Sequence, residues 1–331
     1  LFRGLTLSDY EEIAGFVNTT LYLSDRFDIG GGIRFAHNKQ RAELAAGGDA
    51  ISFYVPRASQ VFHFSDDVLT YLATARWRPS RDISLYLRAA SGYRPGGPQT
   101  NSTPPPGAQT VIDSDTVWNY EAGINAALLD NSLNIRLAGY HIDWKNIQLN
   151  TLAGGTVLLS NGGDAKVDGF ELELTARPSP LLTVAANLGY TKARISRVDP
   201  GVAASIGAAS GDWLPLTADW TAAIIADHRI PLGREVEANL GATLKFRSDM
   251  PSSFPGAFLD PNVKIPSLAT IDLRAGIRFD RFEVQARAEN VTNQFGISTI
   301  ATSRLFPGQD VPSNVTVNRP RTFTLSVTTR F

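Results

Sequence analysis

The sequence of 331 residues contains no cysteine, a single methionine and four histidines that lie far apart along the chain. The absence of cysteine excludes disulfides, cysteine-ligated zinc and cysteine nucleophiles, and the scattered histidines lack metal-ligand spacing. The 31 basic and 32 acidic residues leave a net charge of −1, so no basic excess is present to hold a nucleic-acid backbone. The composition therefore predicts no cofactor and no nucleic-acid partner.

Long apolar runs are also missing. No stretch approaches the ~18 uninterrupted apolar residues that a transmembrane helix requires. A transmembrane strand needs only about 10 residues, with every second one in lipid, so its apolar residues do not raise the average hydropathy. The first residues, LFRGLTLSDY, include neither an initiator methionine nor a signal-peptide pattern. This start predicts either a processed terminus or a part of a longer protein.

What the sequence does contain is alternation of apolar and polar residues, in runs of about 10 to 13 residues. The clearest runs are 236–247 and 269–279, and the same pattern recurs at 182–190 and 323–331. Aromatic residues stand near the ends of many predicted strands: Trp77, Tyr93, Trp118, Tyr190, Phe246, Phe279 and Phe331. Long strands with aromatic ends favour membrane-spanning strands over a soluble sandwich, because aromatic rings are stabilised at the lipid–water boundary.

One predicted strand changes its pattern. Leu133, Ile135 and Leu137 share a face, but the apolar positions then move to Tyr140, Ile142 and Trp144. Two explanations are open: a β-bulge near Gly139 that redirects the side chains, or a strand that leaves the membrane at this point.

The connections alternate between short and long. The short ones lie near residues 79–82, 130–131, 178–180, 231–234 and 280–281, and the long polar ones near 38–66, 94–115, 150–166, 195–217, 249–266 and 294–318. Tight periplasmic turns at one end and long extracellular loops at the other are typical of outer-membrane barrels. The chain is thus predicted to be all-β, a transmembrane antiparallel β-barrel portion with about 13 strands beginning near Ile13. Because single-chain bacterial barrels have even strand numbers, residues 1–331 are expected to form one N-terminally incomplete barrel domain, with residues 1–10 ending a loop.

Five segments, in order, resemble the TonB-dependent outer-membrane receptors. They are ISLYLRAASGYRPGGPQT (83–100), WNYEAGINAALLDNSLNIRLAGYHIDWKNIQL (118–149), NGGDAKVDGFELELTARP (161–178), AENVTNQFG (288–296) and PRTFTLSVTTRF (320–331). Asn290-Val291 departs mildly from the Asn-Leu of that family. The resemblance implies a 22-stranded barrel with an N-terminal plug and a TonB box, neither of which is visible in this sequence. It also implies TonB–ExbB–ExbD as partners and a scarce nutrient as cargo, with an iron–siderophore complex as the leading candidate over cobalamin or a carbohydrate.

In this family, ligand contacts come partly from extracellular loops and the inner barrel wall. For this sequence the resemblance nominates Tyr93, Arg94, Gln99 and Asn101 in one loop and Trp213 in another. Arginine suits the anionic oxygens of a chelate, and aromatic faces suit catecholates or sugar rings. The terminal Phe331 resembles the signal read by the barrel-assembly machinery, with its ring on the lipid face. The outer-membrane lipid is the remaining predicted partner.

Three other functions compete with this hypothesis. A passive porin or structural barrel shares every barrel feature, and a soluble secreted carbohydrate-binding β-protein would also show alternating strands. An enzyme is disfavoured: Glu171 and Glu173 share a face and suit an acid–base pair, but a water-filled lumen explains them equally well.

Overall fold

Thirteen antiparallel strands form one sheet in which each strand pairs with its neighbours in the sequence. The computed structural model describes residues 3–49, 54–99, 109–153, 156–257, 262–303 and 311–329. The strands are β1 (Arg3–Tyr22), β2 (Phe27–Asp49), β3 (Tyr54–Trp77), β4 (Ile83–Arg94), β5 (Asp115–Leu128), β6 (Leu133–Lys145), β7 (Gly163–Ser179), β8 (Leu182–Val198), β9 (Trp220–Pro231), β10 (Val236–Arg247), β11 (Leu268–Phe279), β12 (Phe282–Glu289) and β13 (Thr322–Thr329). The predicted number of strands and their antiparallel order are confirmed.

The alternation separates two faces of the sheet, as the pairing of β10 with β11 illustrates. Ala242 lies opposite Leu273 on the apolar face, which we call the outer face. One residue along, Gly241 lies opposite Arg274 on the polar face, which we call the inner face, and the Arg274 Nε donates to Asp227 Oδ1 at 3.0 Å. Leu240 and Leu273 are about half exposed although each is a large apolar side chain. Such exposure is stable only where lipid replaces water.

Two groups of aromatic rings form a belt on the outer face. Tyr71, Trp118 and Tyr120 stack in a row with centroid separations of 6.0 Å. Farther along the sheet, Tyr190 lies 4.7 Å from Trp220, and Phe170 lies 5.8 Å from both of these rings. These amphipathic rings mark the lipid boundary nearer the long loops. Trp77 and Phe279, the last residues of β3 and β11, stand at the opposite end.

The two ends of the sheet differ as predicted. Tight turns join the strands at the short-turn end. One of these contains consecutive residues of positive φ, namely Leu129 (53°), Asp130 (53°) and Asn131 (64°). At the long-loop end the connections carry structure of their own. They include four two-stranded hairpins and helix α1: Gly97–Pro98 with Val111–Ile112, Gln148–Ala153 with Thr156–Asn161, Met250–Pro251 with Lys264–Ile265, Ile297–Ser303 with Val311–Val317, and α1 at Pro200–Ile206.

The first hairpins correct two predictions. Residues 38–66, expected to be a loop, are paired in β2 and β3 from Asn38 opposite Asp66 to Asp49 opposite Tyr54. Residues 3–10, expected to end a loop, belong to β1, where Arg3 lies opposite Gly47. The strands continue past the lipid, where both faces meet water. The apolar alternation therefore stops although backbone pairing does not.

The open question about β6 is also answered. Its register with β5 and β7 is continuous from Leu133 to Trp144, so there is no bulge at Gly139. His141 and Asp143 lie on the outer face beyond the belt, and Tyr140, Ile142 and Trp144 lie on the inner face. The polarity of the two faces reverses because the strand leaves the membrane. In the part of the chain that the structure describes, no helix is long and apolar enough to cross a membrane.

Candidate ligand-facing surface

A hydrogen-bonded cluster of polar residues lies on the inner face at the long-loop end. It consists of Tyr10 and Glu12 from β1, Arg34 and Asn38 from β2, and Tyr93 from β4. The Tyr93 hydroxyl donates to Glu12 Oε2 at 3.0 Å and accepts from Asn38 Nδ2 at 3.0 Å. The Tyr10 hydroxyl donates to Asn38 Oδ1 at 2.6 Å, and Arg34 forms an ion pair with Glu12. We call this the Tyr10–Tyr93 cluster.

Tyr93 reaches β1 and β2 because β4 leaves β3 early. The β3–β4 pairing ends at Leu72 opposite Ala90, so the next residues of β4 lack a β3 partner. Tyr93 was expected at a strand end near lipid, but its hydroxyl joins the Tyr10–Tyr93 cluster instead. Of the five members only Tyr93 was a sequence candidate. Tyr10 and Asn38 were overlooked because they fall in segments predicted to be loops.

The Tyr10–Tyr93 cluster lies outside the membrane. Val17 is level with the aromatic belt, because it pairs with Ile33 and Ile33 pairs with the belt residue Tyr71. Glu12 is five residues beyond Val17, on the side of the long loops. Burial and the hydrogen bond with Glu12 raise the pKa of Tyr10 to about 12. Hydrogen bonds from Tyr10, Tyr93 and Arg34 lower the pKa of Glu12. At neutral pH the Tyr10 phenol is therefore neutral, and the Glu12 carboxylate is charged and paired with the Arg34 guanidinium.

Arg94 contacts two neighbouring connections, although its side chain is about half exposed. Its guanidinium pairs with Asp115, which is only 2 % exposed, and donates to the carbonyl of Gln148 at 3.1 Å. The same group lies 5.8 Å from the ring of Trp144. These contacts fix the start of the 95–114 connection against the 146–162 connection.

Gln99 has a similar holding role in the structure. Its side chain is buried, and its Nε2 donates to the carbonyls of Leu159 at 2.8 Å and Gln109 at 3.4 Å. The side chain is therefore used within the protein. Asn101, the fourth candidate of this loop, lies outside the described residues.

Trp213 lies apart from these candidates. Its ring stacks on the Arg194 guanidinium at 3.9 Å, and Arg194 also donates to the carbonyl of Gly211 at 2.7 Å. Arg194 alternates with the buried Ala193 and Ile195 and so shares the outer face with Tyr190. The structure thus does not bring Trp213 together with Tyr93.

A small apolar core ties three long connections together, and it was not anticipated from the sequence. Its buried members are Ile147, Ala165, Ile195, Ile206, Ala208 and Phe254. Gly207 ends α1 in the left-handed region at φ 66°, and its carbonyl accepts a 2.8 Å hydrogen bond from the Gly256 amide. A Cβ at Gly207 would lie 1.9 Å from the Gly256 carbonyl carbon, so only glycine fits. Single apolar residues within polar loops gave no periodic signal for this core.

Asp164, the second residue of β7, is a carboxylate that is only 8 % exposed, and it is surrounded by hydrogen-bond donors. It accepts from Arg197 Nε at 3.0 Å, from Lys145 Nζ at 3.2 Å and from the Asn146 amide at 3.0 Å. Burial raises the pKa of Asp164, but these hydrogen bonds outweigh burial and hold the pKa at about 2. The carboxylate therefore joins β6, β7 and β8 just beyond the membrane.

In the membrane-spanning part of the sheet, charged side chains on the inner face are paired with side chains of opposite charge. Lys245 Nζ contacts Asp272 at 3.0 Å, and Arg278 contacts Glu237 at 3.1 Å. Glu173, of the suggested acid–base pair, contacts Arg136 at 3.4 Å. Among the described residues, no group of three or more histidine, cysteine, aspartate or glutamate side chains is arranged to hold a metal ion.

Comparisons with known proteins agree with this architecture. Residues 5–291 match the family described as "TonB dependent receptor-like, beta-barrel". The pesticin receptor of Yersinia pestis is 32 % identical over 170 residues, which are 51 % of this chain and 24 % of that protein. The ferric yersiniabactin uptake receptor FyuA from Yersinia pestis superposes with a TM-score of 0.81 and 20 % identity, covering 100 % of this chain and 47 % of that one. The ferric-catecholate import receptor Fiu from K12 E. coli gives 0.78 and 18 %, covering 98 % and 45 %.

This chain spans about half of those solved structures and about a quarter of the curated relative. Because the match to the family covers most of the chain, the family assignment does not rest on any single relative. The chain belongs to the TonB-dependent receptor β-barrel family, which lies in the outer membrane of Gram-negative bacteria.

Proposed function

We propose that this chain is part of a receptor for TonB-energised uptake of an iron–siderophore complex, without a catalytic step. The observation that carries the proposal is the place of the Tyr10–Tyr93 cluster. It lies on the inner face and beyond the membrane, directly before the 95–114 connection. Long connections of outer-membrane barrels are extracellular, so the cluster faces a ligand that arrives from outside. The cargo class is supported by the names of the relatives, two of which are receptors for ferric chelates.

The transport mechanism assigned to the whole receptor extends beyond these residues. We propose a closed 22-stranded barrel, with a plug inside the lumen and a TonB box that engages TonB–ExbB–ExbD. In the described part of the chain, β1 pairs only with β2 and β13 only with β12. Each therefore leaves a free edge, and closure of the barrel would satisfy its backbone groups.

For ligand contact we propose Tyr93 and Asn101, with Arg94, Gln99 and Trp213 acting through the connections that they hold. The hydroxyl of Tyr93 can donate to an anionic chelate oxygen if it releases Glu12. A hydrogen bond to a charged group contributes about 1.5 kcal/mol or more. Because Tyr93 exchanges its bond to Glu12 for one to the ligand, loss of the hydroxyl changes the affinity by the difference between the two bonds, up to about tenfold.

The test uses the whole receptor in a host strain that lacks its own siderophore receptors. Uptake of ⁵⁵Fe bound to hydroxamate, catecholate and mixed siderophores is measured with and without TonB. We expect TonB-dependent uptake of one class, and Tyr93→Phe should raise its Kd by up to about tenfold. Tyr120→Phe is the matched control, because that ring lies in the outer belt. Uptake that persists without TonB would instead support a passive porin. Uptake of a sugar alone would contradict the proposal that the cargo is an iron–siderophore complex.

For assembly we propose that the C-terminal strand is read by the barrel-assembly machinery. Phe331 itself lies outside the described residues, but Phe323, Leu325 and Val327 of β13 are all highly exposed on the outer face. Phe331 continues this alternation in the sequence, and we propose on that basis that its ring meets lipid. A Phe331→Ala variant should therefore accumulate in the periplasm in pulse-chase fractionation. Normal insertion would refute the assembly role without affecting the fold.

A further inference from the structure

The short-turn end of the inner face holds an arginine-rich recess of about 650 Å³. Its lining includes Arg76, Arg78, Arg81, Arg136 and Arg177, against the two carboxylates Asp82 and Glu173. Because Asp28 also pairs with Arg76 and Arg78, five arginines face three carboxylates and the recess carries a surplus of two positive charges. Elsewhere on this face Lys245 and Arg278 have close acidic partners. We call this surface the arginine recess.

Two of the five arginines have a structural role. Arg76 and Arg78 both contact Asp28, at 3.1 and 2.8 Å, and the Asp28 side chain is almost fully buried. This shared carboxylate fixes one wall of the arginine recess in place. Arg136 has a weaker partner in Glu173, at 3.4 Å with both side chains exposed.

Arg81 and Arg177 have no such role. Both side chains are exposed, and neither forms a side-chain hydrogen bond or ion pair with any part of the chain that the structure describes. Both line the recess together with the inner-face residues Asn125, Asn134 and Thr175. Unpaired arginines on this face do not help the barrel span the membrane, so their positions point to something inside the lumen.

We propose that the arginine recess binds a carboxylate-rich segment of the domain that occupies the lumen of the whole receptor. The inference rests on the proposed function, because that function places such a domain there. Guanidinium groups bind carboxylates in a two-point geometry, and the Asp28 pairing keeps the recess in shape before the partner arrives. The recess is at the periplasmic end, so this contact holds the part of the lumen domain nearest to TonB.

The contact is tested by zero-length cross-linking in the purified whole receptor. Arg81→Lys with Arg177→Lys keeps the charge and supplies amines that a carbodiimide couples to carboxylates in direct contact. The expected result is an amide between position 81 or 177 and an aspartate or glutamate outside residues 1–331, identified by mass spectrometry. Its yield should fall at least threefold in 1 M NaCl, where the Debye length is about 3 Å.

Two controls make a negative result decisive. The native pairs Lys264–Asp249 at 2.9 Å and Lys245–Asp272 at 3.0 Å should couple in the same sample. Arg234→Lys with Arg281→Lys, on turns at the same end but outside the arginine recess, should give no such product. The proposal is overturned if the native pairs couple while the new lysines link only to Asp82 or Glu173, or to nothing. Siderophore uptake measured in parallel separates the two hypotheses, since uptake without the cross-link refutes only the arginine recess.

Discussion

Asp164 offers the sharpest test of how the extracellular end is held together. The proposed change is Asp164→Asn, which keeps the shape and one acceptor but removes the charge. A carboxyl whose pKa falls from its ordinary 3.8 to about 2 on folding stabilises the folded state by about 2 kcal/mol at neutral pH. The side chain is almost buried, so little of this is lost to solvent screening. A loss of 2 kcal/mol makes local opening about 30-fold more frequent.

Hydrogen–deuterium exchange of the detergent-solubilised receptor measures this opening. The informative amides are those of Ile147, Gly162 and Ile195. They donate to Gly163, Ile147 and Asp212 over 2.7 to 2.9 Å. Their exchange should accelerate about 30-fold in Asp164→Asn, while amides in β10 and β11 keep their native rates.

The pH dependence has a definite sign. Because folding lowers the pKa of Asp164, its stabilisation is complete above about pH 4 and disappears as the pH falls to about 2. The wild-type protein should lose protection in this window, and Asp164→Asn should show no such loss. Asp143→Asn is the control: Asp143 contacts His141 at 3.5 Å and Lys166 at 3.9 Å, a loose surface pairing worth less than about 1 kcal/mol. Equal exchange in wild type and Asp164→Asn would refute the reasoning.

Three further outcomes are expected. Gly207→Ala should detach α1 and speed protease cleavage within 199–219, because the new Cβ meets the Gly256 backbone, whereas Gly201→Ala in the same helix has open space and should cleave at the native rate. Leu273→Lys on the outer face should lower the free energy of unfolding in vesicles by about 2–4 kcal/mol in urea titrations, and Gln285→Lys on the inner face by less than about 1 kcal/mol. A protease added to intact cells should cut within residues 96–112, and cleavage seen only after periplasmic exposure would invert the topology.

The membrane-spanning part was predictable because its two faces meet different solvents. Lipid on one side and a polar interior on the other force a period of two, which is legible in the sequence between Val236 and Phe279. The turns were predictable for a second reason: residues such as Asp130 and Asn131 tolerate the left-handed backbone conformation that a tight turn needs. Outer-membrane placement also removes the soluble carbohydrate-binding alternative.

The extracellular part was not predictable in the same way. Above the belt both faces of β1, β2 and β3 are wet, so paired strands and true loops have the same composition. Tyr93 meets Glu12 from 81 positions away, and the contact depends on where β4 leaves β3. Arg94 is the last residue of β4 and Gln99 follows the short strand Gly97–Pro98. The sequence could not reveal that their polar groups contact Asp115 and Leu159.

The aromatic belt thus separates two kinds of residue with different tolerance to change. Below the belt, one apolar residue can replace another on the outer face, because lipid requires an apolar side chain but no particular shape. Above it, the Tyr10–Tyr93 cluster, the Asp164 carboxylate and the Gly207–Gly256 contact each depend on single atoms, so exchange within a chemical class is already damaging. A receptor that changes its cargo can therefore vary its connections without altering the barrel only if those anchoring atoms stay. Specificity should accordingly reside in side chains that lie between these anchors on the long connections.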